Sequence, residues 1–414
     1  AASDVYKRQM FYRIPLANII GDAGNGIYSA AFEVYNILLI ISSYGMPMAV
    51  SKMVSAKCTK KEYKGAYRVF RYSMVFSIFS GGLMALFVFF GAGWIERTFF
   101  SSFHGISIPL RVLAPTIFVV AVMGTLRGLF QGKNTMLPTA VSQILEQIVN
   151  AVVSIVAAYY LMSDHSASKN LSAWGAAGGT VGTLLGAASA LLFLGMIYTL
   201  YRPVLRRQSR RDRITPRESA ADYYKLILWT VIPIILSQTV YQLSGIIDVT
   251  IFNFAMEARG VNATVISTLQ GIYSTKYRLL VSVPIAVSTA IASSMIPSLV
   301  ASVTTGDRRA IKDKVTMAVK FNMIIAFPSA VGLAILAQPI IRLLFPASDY
   351  VTGGMMLMTG STCIIFYALS TVTSGVLQSI DRMNLPVIHS LISLAIHVVV
   401  VFTLLRFTGM GAYA

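Results

Sequence analysis

Long apolar stretches, such as 72–95 and 173–201, carry no charged side chain at all. In a bilayer every backbone polar group must be satisfied within the spanning structure, so a chain of this kind is restricted to helices or a closed barrel. A helix needs roughly 20 apolar residues to cross the hydrocarbon core. The uninterrupted runs here have that length, and their apolar residues do not alternate with polar ones as lipid-facing barrel strands do. Spans are read at 25–51, 72–95, 107–126, 136–162, 173–201, 226–255, 271–300, 319–344, 353–377 and 386–406, preceded by an apolar stub at 10–20. Only 12% of the chain is charged, against about 25% in a soluble domain. The sequence specifies an all-α integral membrane protein that crosses the bilayer many times.

The net charge of +18 would suit a nucleic-acid partner, but its placement points elsewhere. With the stub counted as the first span, Lys and Arg concentrate after the even-numbered spans, in 57–71, 127–133, 202–217 and 308–314 and at Arg382. Loops after odd-numbered spans hold little more than Arg97, Lys169, Arg259 and Arg342. By the positive-inside rule the basic loops, 202–224 included, are cytoplasmic. The Arg-rich stretch 202–217 therefore reads as a topogenic, lipid-facing linker, and no nucleic-acid partner is expected.

The second constraint is internal repetition. Gly26-Ile27-Tyr28-Ser29 returns 245 positions later as Gly271-Ile272-Tyr273-Ser274, and Ile95, Arg97 and Phe100 return at the same offset as Ile340, Arg342 and Phe345. Gly128-Leu129-Phe130-Gln131 with Pro138 returns as Gly375-Val376-Leu377-Gln378 with Pro386. Six spans, an even number, precede the second copy, which therefore enters the membrane in the same orientation. The expected architecture is two parallel six-helix bundles related by a pseudo-two-fold axis along the membrane normal, as in many secondary transporters. The lobes are read as 10–201 and 225–414, separated by the basic linker 202–224. Residues 1–9, with Ser3-Asp4-Val5-Tyr6-Lys7-Arg8-Gln9, look like a translated library adapter and are set aside. The short stub, and the echo of Trp174-Gly175-Ala176 in Met410-Gly411-Ala412, read as a chain that starts inside its first helix and stops where its twelfth begins. In the sixth span Gly175, Gly178, Gly179, Gly182 and Gly186 form a small-residue ladder suited to close helix packing.

Polar residues inside spans are costly in lipid and mark function or helix contact. Four spans carry them at helical spacing: Ser29, Glu33, Asn36 and Ser43; Gln143, Glu146, Gln147 and Asn150; Ser237, Tyr241, Ser244 and Asp248, with Gln238 and Gln242 beside them; and Tyr273, Lys276 and Arg278. Under the repeat, Glu33 corresponds to Arg278, so two equivalent positions carry opposite charge. The expectation is a gate in which the two pair when the outer side is shut. Arg13, Lys52, Lys276 and Arg278 would give a cavity a positive field suited to an anion such as a lipid diphosphate. Glu33, Asn36, Glu146 and Asp248 are the gate or coupling candidates. Two cysteines and four histidines show no metal-ligand spacing, so neither metal nor cofactor is expected; the drive would be Na+, H+ or the membrane potential. His389 and His397 share one span and read as helix–helix hydrogen-bonding groups. The stretch Arg127-Gly128-Leu129-Phe130-Gln131-Gly132-Lys133-Asn134 fails the phosphate-binding loop pattern at its first and last positions, which excludes a nucleotide-driven pump in this chain.

The run Arg13-Ile14-Pro15-Leu16-Ala17-Asn18-Ile19-Ile20-Gly21, with Gly26-Ile27-Tyr28 and Gly45-Met46-Pro47, resembles the opening of SpoVB-like polysaccharide-biosynthesis membrane proteins. Gly128-Leu129-Phe130-Gln131-Gly132 and Ser142-Gln143-Ile144-Leu145-Glu146-Gln147 carry the same resemblance, which extends over residues 10–414. These proteins belong to the MOP exporter superfamily with MurJ-type lipid II flippases, Wzx-type flippases and MATE drug exporters. The resemblance implies a two-lobed alternating-access transporter and no enzymatic activity. It implies a substrate such as an undecaprenyl-diphosphate-linked saccharide, moved from the inner to the outer leaflet of a bacterial cytoplasmic membrane by a protein working as a monomer. It also implies that Arg13 and Arg278, with Lys52 on the second span, hold the diphosphate. An ion-coupled MATE-type drug exporter is the rival, for which Glu33, Glu146 or Asp248 would bind the coupling ion. A membrane polymerase or ligase would need a larger outer loop than any seen here, and a non-transporting scaffold for envelope assembly stands as a further alternative.

Overall fold

The computed structural model describes the backbone of residues 2–413 except 101–103, 134, 169, 216–218, 305, 381, 383 and 409; side chains are further undescribed at 2–12, 43–44, 233–234, 236–244, 246, 290, 292–298, 300–301, 304, 378–379, 384, 387 and 412. The described residues are almost entirely helical, with no strand among them. Helix α1 spans Ala2–Leu39, and α2 (Met46–Thr59) follows a π-helical turn at Ile40–Tyr44. Pro47 stands in the first turn of α2, where its missing N–H costs nothing, while its ring would strike the carbonyl of residue 43 if a regular helix ran on from α1. Then come α3 (Tyr63–Phe99), α4 (Ser107–Gly132), α5 (Leu137–Asp164) and α6 (Leu171–Arg211). Helix α7 covers Ala220–Ala258, and α8 (Ala263–Ile272) passes through a second π-helical turn, Tyr273–Tyr277, into α9 (Arg278–Thr304). The chain continues through α10 (Arg308–Ile335), α11 (Ala337–Leu344), α12 (Tyr350–Gly360), α13 (Cys363–Ser379) and α14 (Asn384–Phe407).

Among the described residues seven helices are long and apolar enough to cross a membrane, and α12 with α13, bent by 47°, make an eighth if counted as one broken span. The spans read at 226–255 and 271–300 fall on α7 and α9, whose side chains are only partly described. The sequence reading ran one span over 319–344, whereas the structure ends α10 at Ile335 and starts a separate short helix at Ala337. Pro339 explains the break: its ring would strike the carbonyl of residue 335, four positions back, if the helix continued. Phe79, Phe90, Leu192 and Leu200 are each at least 70% exposed, which would be anomalous in water and is the expected lipid face of a spanning helix.

Contacts divide the chain into two compact units, residues 30–246 and residues 1–29 with 247–414. The sequence reading placed the divide in the 202–224 linker; the contacts place it inside α1 and inside α7. In the 30–246 unit, Met46, Val50, Phe70, Met123, Phe130 and Leu194 belong to one core. There α5 meets α6 on its glycine ladder: Gly178, Gly182 and Gly186 lie so close to Ala158, Ser154 and Asn150 that a Cβ at any of them would need the neighbour to move. In the other unit, Ala17 packs with Leu280, Ala330, Ile341 and Phe345.

The repeat is visible in local conformation. Phe100 ends α3 with φ −136° and ψ 45°, and Phe345 ends α11 with φ −132° and ψ 66°. Both side chains are buried, and each amide donates to the carbonyl four residues back.

Candidate functional site

The first cluster ties the start of the chain to the unit formed with 247–414. Helix α1 changes direction at Gly21, whose φ of 68° and ψ of 176° suit glycine and few other residues. Asn25 braces that bend, its amide donating to the carbonyls of Ala17 (2.9 Å) and Gly21 (2.7 Å). Asn18 donates to the carbonyl of Leu344 (3.0 Å), satisfying an otherwise open group at the end of α11. Asp22 and Gly26 follow at four-residue steps, and each makes a specific contact.

Gly26 lies against the carbonyl of Ser267, and Gly271 lies against the carbonyl of Asp22 and the amide of Gly26. At the 245-residue offset Ser267 is the counterpart of Asp22 and Gly271 of Gly26. The contact is therefore reciprocal, as at an isologous interface. The repeated glycines are conserved between the copies because the two helices cross there backbone to backbone, with no room for a Cβ on either side.

One turn beyond this crossing, Lys276 places its Nζ 2.5 Å from Asp22 Oδ1 and also donates to Ser348 Oγ. Ser348 Oγ in turn donates to Asp22 Oδ2 at 2.6 Å. Lys276 is 1% exposed. The sequence reading made Lys276 a substrate-binding cation of an open cavity; the structure shows the side chain enclosed and paired. Its ammonium is enclosed and occupied by Asp22 and Ser348, and the side chain works as an internal brace. The π-helical turn that holds it leaves Arg278, two residues on, exposed. Arg13 is half-buried on α1 of the same unit. Asp349, beside Ser348, caps α12 by accepting from the amides of Val351 (2.9 Å) and Thr352 (3.1 Å). Burial pushes its carboxyl up, but hydrogen bonds from Thr352 and the two amides, with the Lys276 charge, outweigh that and hold it below the usual carboxylate range.

Also in this unit, His397 Nε2 on α14 lies 2.6 Å from Asp248 Oδ1 on α7. Asp248, a coupling candidate, is thus partnered by the histidine read as a helix–helix hydrogen-bonding group. The rest of the α7 stripe, Ser237, Tyr241 and Ser244 with Gln238 and Gln242, has side chains outside the described residues.

The second cluster belongs to the 30–246 unit. A cleft of about 680 Å³ runs between α2 and α4, with Ser51, Lys52, Ser55, Arg127 and Gln131 supplying its polar wall and Leu39, Met48, Val120 and Met123 its apolar one. Lys52 is exposed, and no described carboxylate pairs with it. Arg127 sits in the last third of α4, which continues to Gly132 although Gly128 and Gly132 disfavour a helix, both glycines packing closely against α2. Its Nη2 donates to Glu146 Oε2 at 2.7 Å and its Nε to Ser142 Oγ at 3.1 Å, both on α5. Ser142 is fixed by donating to the Thr139 carbonyl at 2.7 Å. The buried Tyr35 of α1 lies within reach of the Glu146 charge.

Of the other candidates, Glu33 is buried, 7% exposed, with its carboxylate against Gly245, and Asn36 is half-buried on the same helix. The structure thus groups Arg13, Lys276, Arg278 and Asp248 in one unit, and Lys52, Glu33, Asn36 and Glu146 in the other. Sequence reasoning missed Asp22, Ser348 and the role of Arg127. Asp22 carried a usable signal, an acidic residue four positions ahead of a repeated glycine in an apolar stretch. Among the described residues no group of histidine, cysteine, aspartate and glutamate is arranged to hold a metal ion.

A family model described as polysaccharide biosynthesis protein matches residues 5–303, starting inside the segment that the sequence reading set aside. The chain belongs to that family. Within it, the chain is 24% identical over 408 residues to the lipid II flippase MurJ of Bacillus subtilis (strain 168), covering 96% of this chain and 74% of the relative. It is 21% identical over 408 residues to stage V sporulation protein B of the same organism, with the same coverage. Among solved structures, an inward-facing multidrug resistance MATE family transporter of the MOP superfamily superimposes with a TM-score of 0.74 at 16% identity, covering 99% of this chain and 89% of that one. Lipid II flippase MurJ in an inward closed conformation gives 0.68 at 16% identity, over 99% of this chain and 81% of that one. The protein is thus a multi-pass helical membrane protein of the polysaccharide biosynthesis family, with the fold of the MATE and MurJ structures. Of these proteins, MurJ is named a lipid II flippase and the MATE protein a multidrug resistance transporter.

Proposed function

We propose that this family member is an alternating-access flippase that moves an undecaprenyl-diphosphate-linked saccharide from the inner to the outer leaflet of a bacterial cytoplasmic membrane. The observation that carries the reading is the α2–α4 cleft, where Lys52 has no described carboxylate partner and Arg127 stands beside it. Such a cleft favours an anion, because Lys52 and Arg127 together face a single carboxylate, Glu146, and leave positive charge over. Arg13 and Arg278 supply further positive charge in the other unit. In this reading the basic 202–224 segment faces the cytoplasm, which the distribution of Lys and Arg supports, and the protein works as a monomer.

Transport is driven by an ion or by the membrane potential. Asp248 and His397 are the coupling pair in this reading: a carboxylate and an imidazole lie 2.6 Å apart, and the pair bridges two helices of one unit. The same pair supports the second reading, an ion-coupled drug exporter of the MATE type.

Complementation separates the two. A strain depleted of its own lipid II flippase is rescued by this protein, and rescue falls with Lys52→Gln or Arg278→Gln. Drug resistance without rescue selects the exporter.

A further inference from the structure

We propose that Arg127 binds the phosphate of the transported lipid and that Glu146 is the resting partner it gives up to do so. This rests on the flippase reading and names the residues that would recognise the diphosphate. Two sequence motifs, the one opening at Arg127 on α4 and the one at Ser142–Gln147 on α5, meet through this pair.

Arg127 carries five N–H donors in a planar fork, which matches a phosphate in bidentate fashion. Glu146 and Ser142 occupy one nitrogen each. Among the described residues the remaining donors meet no protein acceptor, and the side chain lines the cleft with Lys52 and Gln131. Arg127 and Glu146 are 13% and 22% exposed, so neither is shielded by water as a surface pair would be. Two cations face one carboxylate, leaving a charge of +1 for a ligand to neutralise. A diphosphate brings more than one negative charge and several oxygens, so it engages Lys52 and Arg127 together where Glu146 satisfies only Arg127. Ser142, anchored to the Thr139 carbonyl, keeps the Nε edge of the guanidinium in place while the Nη edge turns to the ligand.

The test is ligand titration of the purified full chain in detergent, followed by thermophoresis, with thermal unfolding of every variant alongside. The probes are undecaprenyl diphosphate, undecaprenol, phosphatidylglycerol and inorganic diphosphate. The proposal expects undecaprenyl diphosphate to bind above undecaprenol, and Arg127→Gln to weaken it about 10- to 100-fold, the value of one charge-assisted bidentate contact. Arg127→Lys keeps the stability but recovers only part of the affinity. Glu146→Gln, which removes the competitor, binds as tightly as the parent or more so.

Equal binding by the parent and both Arg127 variants overturns the assignment and leaves the flippase reading standing. Weakening by Glu146→Gln, with Arg127→Lys restoring both stability and affinity, shows a brace and also overturns it. Parent protein that does not distinguish undecaprenyl diphosphate from undecaprenol removes both the assignment and the reading on which it rests. Phosphatidylglycerol or inorganic diphosphate bound equally well through Arg127 makes the site one for headgroup or free phosphate, and the lipid-carrier assignment falls.

Discussion

Removing Asp22 should damage this protein more than removing Lys276, although each breaks the same ion pair. Lys276 is 1% exposed, whereas the Asp22 side chain is 16% exposed and keeps a hydroxyl donor in Ser348. In Asp22→Asn the buried ammonium retains only Ser348 and an amide oxygen, and an uncompensated buried charge costs ~3–5 kcal/mol. In Lys276→Met the carboxylate still has Ser348 and partial access to solvent, so the cost falls to roughly half of that. The double substitution Asp22→Leu with Lys276→Met leaves no charge to solvate and should come within ~1 kcal/mol of the parent, because apolar replacements of buried pairs are often neutral. Closed with an Asp22→Leu single, expected to cost as much as Asp22→Asn, the double-mutant cycle then gives a coupling of about 3.5–6.5 kcal/mol. Thermal unfolding of the purified chain in detergent reads this as a fall of about 3–6 °C for Asp22→Asn and recovery in the double variant. If Asp22→Asn unfolds at the parent temperature, or the double variant loses the sum of the two singles, the ammonium is not held as described and Lys276 returns to the list of cavity cations.

Gly26→Ala and Gly271→Ala should each lower thermal stability by ~1–3 kcal/mol through overpacking, and the double variant by less than the sum, since both act on one crossing; unfolding curves of the three decide it. Asp212 accepts from the amides of Lys64 (2.7 Å) and Ile214 (2.8 Å) and from the Thr215 hydroxyl, and these bonds outweigh burial and depress its carboxyl to about 2. A depressed carboxyl stabilises only while ionised. The clamp is therefore complete above the ordinary aspartate range near 4 and is lost as pH falls through about 2, which pepsin digestion of the loop after α6 between those values detects. At neutral pH, Asp212→Ala should expose the same loop to trypsin at Arg211 and Arg213. His397→Phe should uncouple transport from the proton gradient without preventing insertion, seen as loss of pH-driven flipping with normal expression.

The spanning helices were legible because apolar runs and charge breaks are local properties of the chain. The repeat was legible as well, and it marked Gly26 and Gly271 before their contact was visible. The α10–α11 break was also written locally, in Pro339, but the surrounding apolar residues outweighed it in the reading. What the sequence did not show were partnerships between distant positions: Lys276 with Asp22 and Ser348, or Asp248 with His397. Lys276 looked like a free cavity cation because its neutralising residues lie 254 and 72 positions away. Arg127 looked like a loop cation because the span was ended at the first charge, whereas the helix continues for another turn and carries the guanidinium up to Glu146 on α5.

The central claim is that this family member moves a diphosphate-linked lipid across the bilayer. Reconstitution into liposomes with a fluorescent undecaprenyl-diphosphate-linked saccharide, quenched from outside, tests it directly. The account predicts that the protected half of the signal becomes quenchable at a rate set by protein density, and that Lys52→Gln slows it. Protein-loaded and empty liposomes with the same protected fraction, alongside export of a cationic drug, would contradict it.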